Sequence, residues 1–239
     1  MIAGLMSNRV DSLLVPIRLI IVTLLTLVTA PSSWAHGRVD ESVDTIVEIV
    51  GTESIRELGR AGLRAKIEAT LIQAGVNVND PRVQSRINQA LDDIFNRDMD
   101  ATTLSFTSFT FSDSRDQNGR ITSLDINSNI DIVTFEPSGA SDQLKNHEEG
   151  HRQIFEEGTS MLHNTFTRMH DGDIGKPFSD KQVESQLQSG EDRIDNITNL
   201  AGSIYDRTTQ NGTEGGSNQQ EIAESSLTIA KLLSRGRLF

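Results

Sequence analysis

Residues 147–151 read His-Glu-Glu-Gly-His, and this pentapeptide constrains the chain more than any other stretch. On an α-helix, histidines four residues apart lie on one face, a single turn apart. At that spacing their neutral imidazole nitrogens can hold one Zn²⁺. A glutamate directly after the first histidine can then accept a proton from water activated beside it. The pattern H-E-x-x-H therefore predicts a helix through this segment, with His147 and His151 as metal ligands and Glu148 as a general base. The alternative is a structural helix whose two histidines only form hydrogen bonds.

The first 35 residues have the make-up of a secretory leader. Arg9 and Arg18 supply positive charge, Leu19 to Ala30 is an apolar run, and Ser33-Trp34-Ala35 places small residues for cleavage after Ala35. The run is too short to span a bilayer comfortably, and retention as an uncleaved anchor is the alternative. Cleavage of the 239-residue chain leaves 204 residues, enough for one domain with its own core. The leader holds two arginines and one aspartate, so its removal takes the net charge from −12 to −13. Such an acidic chain suits neither nucleic acid nor an anionic membrane, and the expected partner is a peptide or protein substrate. Cysteine is absent, which excludes disulfides and thiolate ligands. Together with the leader, this points to a secreted or periplasmic bacterial protein with no membrane contact after cleavage.

Hydropathy periodicity divides the mature chain. From about Asp44 to Asn96 the spacing is helical: Ile46, Val47 and Val50 open the pattern, Ile55 to Ile72 continue it, and Asp80-Pro81 starts a further helix. Leu104 to Phe111 and Ile121 to Phe135 then read as strands flanking Asn118-Gly119, a hairpin turn signal. Ser141 is a candidate N-cap for a long helix to about Met169 that carries the histidines on its apolar face. Two further helices are expected over about 179–205 and 220–233. The reading is α+β: a small antiparallel hairpin beside a long H-E-x-x-H helix, with a helical region over 36–100 and a core over 101–239.

A zincin needs a third ligand, and its source is less evident. Ile154 and Glu157 stand where the longer metzincin pattern would need glycine and histidine. Glu184 or Glu191, on the following helix, could serve instead, whereas His163 and His170 fall off the ligand face. A later segment, Tyr205-Asp206-Arg207-Thr208-Thr209-Gln210-Asn211-Gly212, adds a resemblance. Paired with the Asn146–Glu157 helix, it resembles a family of bacterial proteins of unknown function described as predicted secreted zinc-dependent proteases, in which the later segment reads Y-D-x-x-T-x-H-G. Tyr205, Asp206, Thr209 and Gly212 match that motif, and Asn211 stands at its histidine. The resemblance covers roughly residues 140–220 and implies a zincin-like fold. If that histidine ligates zinc in the family, Asp206 or a nearby carboxylate must replace it here.

The expected function is thus zinc-dependent peptide hydrolysis, with Glu148 as base and Tyr205 as either an oxyanion donor or an ordinary buried tyrosine. Gly150 would permit close approach of another segment. The rival is a catalytically inactive zincin-like protein of the cell envelope that binds a peptide or protein. Ca²⁺ is a second metal candidate: Ser114 to Asp125 resembles an EF-hand loop, with Asp116, Asn118, Gly119 and Asp125 in register, although a plain hairpin turn accounts for the same residues.

Overall fold

The computed structural model describes residues 37–49, 55–97, 100–213 and 218–236. The leader, its cleavage point, Val50 and Gly51 lie outside the described residues. The elements are, in order, β1 (Val39–Ile49), α1 (Ile55–Gln73), α2 (Pro81–Arg97), β2 (Thr102–Arg115), β3 (Ile121–Glu136), α3 (Asp142–Asp173), α4 (Asp180–Thr209) and α5 (Gln219–Gly236). The fold is α+β, with a three-stranded mixed sheet in the order β1-β3-β2.

The first element corrects the sequence reading. Ile46 and Val47 belong to a strand, not to the start of a helix. Val39, Val43, Thr45, Ile46, Val47 and Ile49 are all β-branched, which favours extended backbone. Parallel pairing with β3, from Val39↔Ile126 to Ile49↔Glu136, then decides between two periods that short apolar spacings leave ambiguous. The helical pattern begins instead at Ile55, and α1 is kinked at Gly59 (φ 70°, ψ 165°).

The expected hairpin is present. β2 and β3 pair antiparallel from Thr102↔Phe135 to Arg115↔Ile121. The Asp116 carboxylate accepts from the backbone N–H of Asn118 (2.8 Å) and of Arg120 (2.9 Å), and Gly119 takes φ 73°. Asp125 pairs within the ladder opposite Ser112. The Ser114–Asp125 segment is thus a hairpin turn and the strand leaving it.

Both faces of the sheet are covered. Val133, Phe135 and Phe106 pack with Ile55, Leu63 and Ile67 of α1 and Ile87 and Leu91 of α2. The alternate residues Ile126, Ile130 and Ile132 pack on the other side with Leu162 and Phe166 of α3 and Val183 and Leu187 of α4. A third cluster joins Ile154, Ala201 and Tyr205 to Ala223, Leu227 and Ala230 of α5. Each large side chain removed from water contributes about 1.5–3 kcal/mol, and this burial holds α3 and α4 alongside each other. Ser141 caps α3, its hydroxyl accepting from the Leu144 N–H (3.2 Å). No helix among the described residues is long and apolar enough to cross a membrane.

Candidate metal centre

His147 and His151 project from adjacent turns of α3, and Asp206 meets them from the last turns of α4. All three are buried, and one ligand atom from each lies within 4.8 Å of the others. His151 Nε2 is 2.8 Å from Asp206 Oδ1. His147 Nε2 lies 3.4 Å from the same oxygen but without hydrogen-bond geometry, and it is buried with no hydrogen-bond partner. Burial alone would raise the Asp206 pKa, but the two histidines facing it outweigh that effect and hold the carboxyl well below its usual range.

Thr209 and Asp206 face the two ring nitrogens of His147. The Thr209 hydroxyl donates its single hydrogen to the Tyr205 carbonyl at 2.8 Å. Its oxygen also lies 3.3 Å from His147 Nδ1, and so can only accept there. In the tautomer with the hydrogen on Nδ1, Nε2 is the ring nitrogen available to a metal ion, and it lies 3.4 Å from the Asp206 carboxylate. Two imidazole nitrogens and one carboxylate oxygen are the donor types of zinc and related ions, so the residues present fit a metal ion.

Glu148 is also buried. Its Oε2 accepts from Thr103 Oγ1 at 2.7 Å, and Thr103 in turn contacts Thr134 Oγ1 at 3.0 Å across the β2–β3 ladder. Burial raises its pKa, which His151, the Thr103 hydrogen bond and His147 offset only in part. A carboxyl raised in this way holds a proton more readily than a solvated one, as a group that accepts and returns a proton requires.

Tyr205 is placed differently from the expected oxyanion donor. Its side chain is fully buried and stacked on the His147 ring (centroids 4.9 Å apart, planes 10° apart). Its hydroxyl shares a single hydrogen between two acceptors, the His147 carbonyl (3.2 Å) and Gln219 Oε1 (2.9 Å). Burial, with the nearby Glu148 and Asp206 charges, pushes its pKa upward. It is therefore a positioning residue that locks α3 to α4 and α5. Gly150 makes this possible, because a Cβ there would lie 2.2 Å from the Tyr205 hydroxyl oxygen. Gly212 plays a matching part on the other side of His147: its φ is 85°, and a Cβ would come within 2.9 Å of the histidine Cβ and Cγ.

The remaining candidates lie elsewhere. Asn211 is exposed in a left-handed turn (φ 53°), its N–H bonded to the Asp206 carbonyl (2.8 Å), while the carboxylate of Asp206 joins the histidines. Glu191 pairs with Arg86 of α2 (2.9 Å), Glu184 is exposed, His170 contacts Asp171 (2.9 Å) and His163 is half-buried farther along α3. Thr103, Gln219 and the role of Thr209 were not foreseen. The Tyr205–Thr209 spacing of four signals one helix face, but nothing local to Thr103 connects it with a glutamate 45 residues away.

His151 and Asp206 open onto a cleft of about 340 Å³. Five consecutive residues of β2, Thr102 to Phe106, form one wall. β2 lies at the edge of the sheet, and β3 is its only partner among the described strands. Arg86 and Ile94 of α2 form another wall, opposite Thr198 and Gly202 of α4. No protein-family model, curated protein or solved structure matches this chain.

Proposed function

We propose that this chain is an exported zinc-dependent peptidase with a zincin-like site. The observation that carries this reading is the buried group of His147, His151 and Asp206, whose ligand atoms lie within 4.8 Å of one another, next to the buried Glu148. His147, His151 and Asp206 would hold Zn²⁺, which would supply Lewis acidity that lowers the pKa of water and polarises a carbonyl. Glu148 accepts the proton of the attacking water and returns it to the leaving amine, and Thr103 fixes one of its oxygens. The open edge of β2 offers backbone hydrogen bonds to an extended peptide across the cleft. Thr209 and Tyr205 keep His147 in the required tautomer and place. The resemblance to secreted zinc-dependent proteases, carried by 147–151 and 205–212, agrees with this assignment and with the leader.

Metal analysis of residues 36–239 tests it. The expected result is about one zinc per chain, lost in His147→Ala, with cleavage of a mixed fluorogenic peptide library that Glu148→Gln abolishes while keeping the metal. Undiminished hydrolysis by Glu148→Gln would refute the mechanism. A second reading, a metal-loaded protein that binds peptides without cutting them, is favoured by the exposed Asn211 and by the Tyr205 hydroxyl being engaged away from the cleft. Zinc with peptide binding but no hydrolysis would select it.

A further inference from the structure

A second concave surface, sharing no residue with the metal cleft, lies where α3, α4 and α5 meet and encloses about 1060 Å³. Arg168 of α3, Arg193 of α4, and Lys231 and Arg235 of α5 line it. Elsewhere among the described residues Arg64, Arg86, Arg115 and Arg152 each bond carboxylates. Among the described residues, none of the four groove cations makes a salt bridge. The one carboxylate on the lining, Asp173, is buried and lies near His170 and Lys176 instead. In a chain of net charge −12, four cations gathered from three helices with no salt bridge among the described residues mark a local positive field.

Beneath them the floor is apolar: Met161, Met169, Phe178, Ile194 and Ile197. Beyond the groove, α5 exposes Ile229 (45%), Leu232 (61%) and Leu233 (52%), which flank Lys231 in sequence. Along α5 Ile229, Leu232 and Leu233 fall on one flank and Lys231 and Arg235 on another, the two-sided pattern of an element that lies on a bilayer surface. We infer that this face docks onto an anionic membrane, with lipid phosphates held by Arg168, Arg193, Lys231 and Arg235 while Ile229, Leu232 and Leu233 enter the interface. The whole-chain charge argues against anionic membranes only as an average. Screening confines the interaction to about 8–10 Å at physiological salt, so the patch, not the sum, faces the lipid.

Flotation of residues 36–239 with vesicles of phosphatidylglycerol and phosphatidylcholine tests this, without the apolar leader as a competing membrane element. Binding should rise with phosphatidylglycerol content, fall with added salt, and be absent on pure phosphatidylcholine. Each cation removed should weaken binding about five-fold, so Arg193→Gln/Lys231→Gln should lose about 25-fold while unfolding at the parental temperature. Leu232→Ser/Leu233→Ser should also release the protein. Equal binding to both lipids, no binding to either, or a cation variant that binds like the parent would overturn the inference. Release by millimolar inorganic phosphate at constant ionic strength would overturn it in favour of a soluble anion.

Discussion

Replacing Gly150 by alanine adds one methyl group to the interior of α3, where helix propensity alone favours alanine by about 1 kcal/mol. The structure predicts the opposite sign. The new Cβ would stand 2.2 Å from the Tyr205 hydroxyl oxygen, 2.4 Å from its Cζ and 3.0 Å from its Cε1. The ring cannot withdraw without cost, since it is fully buried and stacked on His147, and its hydroxyl bonds the His147 carbonyl and Gln219. Overpacking a well-filled core costs about 1–3 kcal/mol, and breaking the hydroxyl's buried hydrogen bonds adds about 1–3 kcal/mol. Less the propensity gain, Gly150→Ala should lose about 1–5 kcal/mol by urea unfolding of the metal-free protein. Gly172→Ala is the control: it lies in the same helix with nothing within 4 Å of its Cβ position, and should be neutral or slightly stabilising. Gly150→Ala as stable as Gly172→Ala would show that the Tyr205 contact does not restrain α3, and the positioning role would fall with it.

Two further outcomes are expected. Thr209→Val removes the acceptor for His147 Nδ1, and metal affinity, read by competition with a chelator, should fall 10- to 100-fold while Thr209→Ser retains it; equal affinity of both variants would discount the tautomer argument. Asp131, buried in β3 with Asp44 opposite on β1, has its pKa raised to about 6 by desolvation and then by Asp44. The folded state therefore binds this proton more tightly than the unfolded chain, so the associated stability is complete below about pH 4 and is lost as pH rises through 6. Asp131→Asn should stabilise the fold by about 1–3 kcal/mol at pH 8 and by almost nothing at pH 4, and a pH-independent gain in thermal or urea unfolding would contradict this.

What could be read from the chain beforehand was what local chemistry determines. Ser141 caps α3, Asp80-Pro81 opens α2, and Asn118-Gly119 turns the hairpin, because caps and turns are decided within four residues. The facing of His147 and His151 followed from helical spacing, and Asp206 came from the motif resemblance. β1 was misread because its partner lies 87 residues on, as in Val39↔Ile126, and parallel pairing leaves no turn signal between the strands. The grip of Thr103 on Glu148 depends on how the hairpin edge docks over α3, and no spacing within either segment encodes it. Net charge concealed the basic groove for a related reason: its four cations come from three helices and converge only when α3, α4 and α5 pack.

The placement of the three candidate ligands would set an order of assembly around a bound ion. Two donors arise as soon as α3 winds, because one turn separates them, whereas the third arrives only when a residue 55 positions away from His151 docks beside them. An ion captured early would meet a weak two-point perch, and the docking of α4 would turn that perch into a clasp. The ion would then close a long loop in the chain, restricting the unfolded ensemble far more than a bridge within a single helix could. Metal and hydrophobic seam would thus be two fastenings of the same joint: stripping the ion should loosen the α3–α4 hinge line first, leaving the sheet with the α1–α2 layer that contributes no ligand to the triad.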